Sequence, residues 1–533
     1  MPYLAAVEVD QRQHIIGSTD KLKEMLGASW HIGATVPGAL DALQDAAHTR
    51  IVMPVSGALW LTSTSLPELA GILAQIRAQV VEELNLPSTF AIVEYTDDFN
   101  QGRKELEKRV RALKDAKTGE DHEALPPLAA NCQMLPSRAA NHWFPGRLNP
   151  QQERRALVSE AAEQRFARGQ STLTNYTRHL DPLLRGFKTP WKLDHLTEGV
   201  ADQYLALVKA DADGMNRILA SIDWSDLGDR LAWTPETWEE VRNRARWPYG
   251  EAKPDRVSPE QALTWFSFSL DDSIWRALKI AISTLADEER RCRAYFPIAP
   301  IVRAGEDTAL FCRRDLALPL VARFGHAFEQ IVKNHPVLRH FTGNDALSLS
   351  FGILYAKQGY PFQMMWELAD ELQSSAKEGR AAANSTTGFV DLQWFASSGR
   401  VGITALRKES LTYQAGGTEY RLTTRPWTLS RAGQMLAAAE ELARSVSPSR
   451  WVELETALWA GGSLTDLAYQ RWLLQLERGT RELVFRHMTE WSSRTERYPR
   501  LTPWFTAIIR GQTVQCCGLL DLAELVRTFR RME

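Results

Sequence analysis

Two stretches of this chain repeat one another about two hundred residues apart: Tyr3-Leu-Ala-Ala-Val-Glu-Val-Asp10 and Tyr204-Leu-Ala-Leu-Val-Lys-Ala-Asp211 agree at five of eight positions. A repeat of this kind constrains the fold more than composition can, because whatever one copy builds the other is expected to build again. Both runs are apolar, carry valine and end in aspartate, which predicts a buried central strand delivering a carboxylate at its C-terminal edge.

The segments after each run are also alike. After Asp10 the pattern predicts a helix from Ser18 to Met25, a hairpin over 51–64 broken at Ser56-Gly57, a helix opening at Leu66-Pro67-Glu68, a strand over 88–95 and a charged helix from Asp98 to Lys117. After Asp211 come a short helix from Gly214 to Ile222, a long insertion, a hairpin over 297–314, a helix from Asp315 to Val332, a strand over 346–356 and a helix from Pro361 to Lys377. Strand, helix, hairpin, helix, strand is the split βαβ or ferredoxin-like pattern. An α+β fold is therefore expected, with two ferredoxin-like domains over 1–117 and 201–400.

The length of 533 residues leaves room for more. At roughly 150 residues per domain it predicts about three or four. Charged residues at 24% and hydrophobic ones at 44% exclude disordered and fibrous classes. Lys and Arg total 63 against 65 acids, so no global field draws the chain to nucleic acid or anionic lipid, and any polyanion site must be local. No 18-residue apolar run occurs and MPYLAAVEVDQRQH reaches charges too early for a signal peptide, so a cytoplasmic protein with no membrane partner is expected. Cys132, Cys292, Cys312, Cys516 and Cys517 have no CxxC spacing, which argues for buried thiols in a reducing compartment rather than a disulfide framework or zinc ribbon.

The copies differ where chemistry would sit. The second hairpin turns through Ala304-Gly305-Glu306-Asp307, whereas the first reads Val55-Ser56-Gly57-Ala58 and has no acid. Neighbouring strands lie about 4.8 Å apart, so the second tip can bring Glu306 or Asp307 near the strand end Asp211-Ala212-Asp213. Hard oxygen ligands so placed suit Mg²⁺, which takes one or two carboxylates plus substrate phosphates. Two such ions could activate a 3′-hydroxyl and stabilise leaving pyrophosphate. Each motif alone is also ordinary turn chemistry.

At these residues the chain resembles the large polymerase-cyclase subunit of type III CRISPR effector complexes, the Cas-ten family, from residue 3 to about 400. That family carries two palm-like domains related to the GGDEF nucleotide cyclases. Its second palm usually shows a strand ending DxDGMG, a GGDD hairpin, an SxG strand and a helix ending in AK. Here those segments read Asp211-Ala-Asp-Gly-Met-Asn216, Ala304-Gly-Glu-Asp307, Leu349-Ser-Phe-Gly-Ile353 and Ala376-Lys377-Glu-Gly-Arg380, and the 18–29 segment is similar to the family's first-palm helix. The resemblance implies a metal-dependent nucleotidyltransferase making cyclic or linear oligoadenylates from ATP with Mg²⁺ or Mn²⁺, working with guide RNA and other effector-complex subunits in antiviral defence. A non-catalytic scaffold subunit and a stand-alone signalling cyclase are the alternatives.

The resemblance also implies roles. Asp211, Glu306 and Asp307 would be catalytic, with Asp211, Asp213 and Glu306 holding metal; Gly305, Ser350 and Lys377 would meet the nucleotide. Lys377 would act as a point charge on phosphate, although a helix-end cation is the plainer account, and strand alternation accounts equally for Ser348 and Ser350. AGED in place of GGDD predicts weakened activity, since Ala304 replaces a glycine that lets backbone approach phosphate. No histidine is followed by aspartate and the chain starts at the palm strand, so the family's nuclease function is expected to be absent. The 131–138 segment keeps one cysteine of a family zinc motif, and no structural zinc is expected.

The rest is less specific. A proline-punctuated connector is expected over 118–200, with a charged helix at 151–168. The insertion 223–295 interleaves Trp224, Trp233, Trp238, Trp247, Trp265 and Trp275 with Arg242, Arg244 and Arg246. Such a mixture can clamp nucleic acid, but filling a helical core explains it more simply. Helical periodicity with little strand signal predicts a helical domain over 401–533.

Overall fold

The structure, a computed structural model, describes residues 2–117, 140, 142–143, 157–168, 186–198, 203–227, 257–289, 294–340, 346–395, 402–459, 462–491, 502–509 and 512–530, single positions within these excepted. Most of the connector, Cys132 and Cys292, and Trp233, Trp238, Trp247 with their neighbouring arginines lie outside the described residues.

The first copy begins with β1 (Tyr3–Val9), then α1 (Arg12–Gly17), α2 (Leu22–Gly33) and α3 (Thr35–Ala42), the hairpin of β2 (Thr49–Val55) and β3 (Ala58–Ser63), α4 (Leu66–Arg77), β4 (Ser88–Glu94) and α5 (Phe99–Lys117). A two-residue ladder comes next, β5 (His142–Trp143) with β6 (Leu157–Val158). The second copy comprises β7 (Tyr204–Ala212), α6 (Met215–Ser221), α7 (Pro259–Glu289), the hairpin of β8 (Ile298–Ala304) and β9 (Asp307–Arg313), α8 (Arg314–Asn334), β10 (Leu349–Lys357), α9 (Phe362–Ala382) and β11 (Phe389–Trp394). The first sheet runs β2-β3-β1-β4, and the second contains β8-β9-β7-β10, extended by β11 and a two-residue strand at Trp427–Thr428. In both, the repeated strand lies antiparallel between the second hairpin strand and the strand after the next helix. The expected helix at Ser18–Met25 is displaced: α2 starts at Leu22, because Leu22, Met25, Leu26 and Ile32 form the buried stripe.

Apart from Glu8, Lys209 and Asp211, the two repeated strands are apolar because each is covered on both faces. Leu4 and Ala6 enter one core while Ala5, Val7 and Val9 enter another. In β7, Ala206, Val208, Ala210 and Ala212 join the first core, and Leu205 and Leu207 the second. Both cores therefore run through both sheets, and each fully buried leucine contributes about 1.5–3 kcal/mol. Trp224, Trp265 and Trp275 of the insertion are buried in the first core. Among the described tryptophans of the insertion, core filling is the role the packing supports.

The region after residue 401 departs from the helical expectation. Besides α10 (Ile403–Ser410) it forms β12 (Thr412–Ala415), β13 (Thr418–Arg421), β14 (Trp427–Thr428), α11 (Leu429–Ser445), α12 (Pro448–Leu458), α13 (Gly462–Leu474), α14 (Arg478–Trp491), β15 (Phe505–Ile509), β16 (Gln512–Cys516) and α15 (Leu519–Arg530). A four-stranded sheet, β12-β13-β16-β15, stands among the helices. The hairpin β12–β13 turns on Gly416 and Gly417, both at positive φ, a Gly-Gly signal that the surrounding helical periodicity masks. Arg425, fully buried, bridges Asp521 Oδ1 at 3.0 Å and Glu524 Oε2 at 3.1 Å and donates to the Leu392 carbonyl at 2.7 Å, tying α15 to β11.

Gly352 shows how closely α9 sits on the second sheet. A Cβ there would lie 2.4 Å from the Ala369 carbonyl oxygen and 2.6 Å from the Gln373 backbone nitrogen. The glycine of the SxG strand thus serves helix packing. Gly352→Ala is expected to cost about 1–3 kcal/mol, seen as an earlier urea midpoint, while Gly359→Ala, whose Cβ would meet nothing within 4 Å, leaves the midpoint unchanged. Equal midpoints for the two variants would contradict this packing.

Candidate active site at the second hairpin

The ladder places the acids. β7 and β9 pair Ala210 with Thr308, so one step further Asp211 comes alongside Asp307. On the other side of β7, Asp211 is in register with Ser350 of β10. The hairpin closes in two residues, with Ala304 opposite Asp307, Gly305 at φ +60° and Glu306 outside the positive-φ region. Glycine at the first central position is the type II′ requirement. A methyl group on Gly305 would meet Val55 Cγ1 at 2.7 Å, so the second hairpin tip rests against the first.

Electrostatics bind Asp211, Glu306 and Asp307 into one group. Burial pushes the Glu306 carboxyl up to about 7, and the charges of Asp307 and Asp211 push it the same way, with Arg12 opposing. Asp307 is raised by burial and by Asp211, against Arg12, Lys209 and Lys377. Asp211 is ion-paired with Lys377 from α9. Lys209, two residues earlier in β7, pairs with Asp370 and lies 4.0 Å from the Trp366 ring centroid; burial lowers its ammonium to about 8 against the pull of Asp307 and Asp211.

Asp213 and Ser350 stand apart from that group. The Asp213 carboxylate is 2% exposed, accepts from Ser348 Oγ at 2.5 Å and lies 3.4 Å from Arg380 Nε. Burial raises its pKa, while Ser348 and Arg380 oppose. Arg380 in turn donates to Ser348 Oγ at 2.9 Å and to the Ala346 carbonyl at 3.0 Å. This is a closed buried network, and Ser350 is itself fully buried. In the first copy, Asp10 accepts from Thr89 at 2.8 Å and pairs with Lys117 at 3.2 Å, and no acid faces it from the Ser56-Gly57 turn.

Burial and neighbouring charge raise Glu306 and Asp307, and the hard oxygens of such carboxylates suit Mg²⁺ or Mn²⁺. Among the described residues, no three His, Cys, Asp or Glu side chains are gathered as a metal cage.

Two clefts flank the turn. One is lined by Arg12, Lys209, Asp307, Thr308 and Trp366. The other is lined by Arg12, Trp60, Arg103, Phe266, Gly305 and Glu306. Sequence reasoning missed Arg12 and Lys209. The signal for Lys209 lay in the repeat itself, where the first copy has Glu8 at the same place.

No family model matches the chain, and no curated protein matches it. Among solved structures it is similar to the Csm1-Csm4 cassette in complex with cA4, at 15% identity and a TM-score of 0.41, covering 71% of this chain and 53% of that one. The same cassette with one ATP and Csm1 in T. onnurineus match at 16% identity and a TM-score of 0.41, with 71% of this chain covered in each case and 53% and 51% of theirs. The chain thus spans about half the length of those structures, and a likeness at this level assigns it neither activity nor partner.

Proposed function

We propose that the chain is a metal-dependent nucleotidyltransferase that joins ATP into cyclic or linear oligoadenylates in a type III CRISPR-like defence system. Its two ferredoxin-like units are read as palm-like domains, the first degenerate, with guide RNA and other effector subunits as partners. The observation that carries the reading is the convergence of Asp211, Glu306 and Asp307 at one hairpin tip, with Lys377, Lys209 and Arg12 around them. The choice of adenine rests on the family resemblance.

In this reading the 3′-hydroxyl of one nucleotide attacks the α-phosphorus of an ATP. The new P–O bond forms as the bond to the bridging oxygen breaks, and pyrophosphate leaves. Glu306, held near half-ionised at neutral pH, is suited to take the hydroxyl proton. Mg²⁺ or Mn²⁺ bound at the carboxylates would supply charge neutralisation at the phosphate oxygens. Lys377 offers a point charge to a phosphate, whereas the space a side chain would take at Gly305 is filled by Val55.

Two observations favour the scaffold reading instead. Asp211 is already ion-paired with Lys377, and Asp213 is closed in with Arg380. Among the described residues, no helix is long and apolar enough to cross a membrane, whichever reading holds.

With ATP and Mg²⁺ or Mn²⁺, Asp211→Asn should lower oligonucleotide and pyrophosphate release more than tenfold, a loss above about 1.4 kcal/mol, while Asp10→Asn leaves it nearly unchanged. Equal losses would remove the distinction between the copies, and no product from the wild type under any RNA trigger would favour the scaffold. A second test uses stability alone. Because folding raises the Glu306 pKa from 4.5 to about 7, the folded chain binds more protons than the unfolded one in that window, and stability falls as pH rises through it. Relative to wild type, Glu306→Gln should therefore gain stability from pH 5 to pH 8. Mg²⁺ should raise the melting temperature of the wild type at pH 8 more than that of the variant; parallel curves would show that Glu306 is not strained by charge.

A further inference from the structure

The turn Val55-Ser56-Gly57-Ala58 has no acid, yet its geometry is not idle. Gly57 adopts φ +75°, and a Cβ there would strike Arg12 Cδ at 2.7 Å and Ile32 Cγ2 at 2.8 Å. The missing side chain is the space through which the Arg12 stem passes. Arg12 Nη1 donates to the Ser56 carbonyl at 3.2 Å, fixing the guanidinium on the same turn. Just before it, Gln11 is one of three described non-glycine residues at positive φ, at +49°, so a backbone turn that side chains rarely adopt launches α1 with Arg12 in its first position.

Arg12 arrives at the second hairpin. It lines both clefts, the one holding Asp307 and the one holding Glu306, and the two hairpin tips touch at Val55 and Gly305. Of five guanidinium N–H groups, one is used in a hydrogen bond, and among the described residues Arg12 forms no ion pair within 4.0 Å. A fixed fork with free donors beside a carboxylate pair is built for a phosphate that brings its own counter-charge.

We propose that the first hairpin is a cradle for Arg12, which it delivers to the site of the second copy to bind the polyphosphate tail of a nucleotide. The proposal rests on the nucleotidyltransferase reading only for the identity of that ligand. The acid-free copy is then a working half of a composite site, and its glycine is kept for the arginine stem.

Binding is measured calorimetrically on the full chain with inorganic tripolyphosphate and, separately, with ATP, each with Mg²⁺, alongside melting temperature and product formation. Arg12→Gln should weaken both ligands tenfold or more without lowering the melting temperature, and Gly57→Ala should weaken them in the same direction although the charge remains. Equal affinities in wild type and Arg12→Gln would overturn the proposal, as would a wild type that binds neither ligand. Should Arg12→Gln fail to fold, Arg12→Lys carries the test: loss of the fork should still weaken tripolyphosphate binding severalfold, and unchanged binding would overturn the assignment. Tripolyphosphate binding that depends on Arg12, in a wild type that makes no oligonucleotide, would sustain this site and sink the nucleotidyltransferase reading alone.

Discussion

A strand buried on both faces can carry a charge only if a partner comes to meet it, and this requirement organises the second half of the molecule. β7 bears Lys209 and Asp211, Asp213 follows directly after its end, and all three charges are answered from one helix, by Asp370, Lys377 and Arg380 of α9. Leaving the buried Lys209 or Asp213 unanswered would cost several kcal/mol. The helix must therefore lie close and in a single register, which is what Gly352 permits by letting its backbone approach the strand. The carboxylates at the hairpin tip inherit their positions from that fit.

Of the three charges, Lys209 lines the cleft that holds Asp307, and only Asp211 keeps an appreciable exposure of its own. Lys209 is pinned beneath Trp366 and Asp213 is sealed beside Ser348, while Asp211 remains partly exposed next to Glu306 and Asp307. A motif written DxD is thus divided by its surroundings: one carboxylate stays partly exposed beside Glu306 and Asp307, and the other is closed in with Ser348 and Arg380. Spacing alone cannot separate the two, since they lie two residues apart at the end of one strand and what the folded chain sets against each is not written in the motif.

The order of elements was legible because period-two apolar runs, Gly-containing turns and helix stripes each leave local marks, and the repeat checked one copy against the other. The acids at Asp211, Glu306 and Asp307 were legible for the same reason. Arg12 was not, because it acts on a hairpin about three hundred residues away, and no local pattern encodes a contact between the copies. The sheet of β12, β13, β15 and β16 was missed although Gly416-Gly417 marks its hairpin; its strands are only four or five residues long and its halves are separated by four helices, so helical periodicity dominated.

The repeat also differs in sign at one place. Glu8 of β1 is answered by Lys114 of α5 at 2.6 Å, and Lys209 of β7 by Asp370 of α9. Two strands of nearly the same sequence, each awaiting a helix, could otherwise exchange partners while the chain folds. Docking α5 on β7 would set Lys114 towards Lys209, and docking α9 on β1 would set Asp370 towards Glu8, each a like-charge pair. The inverted pair therefore acts as an address label, giving a duplicated chain a way to keep its two copies from being assembled with each other's parts.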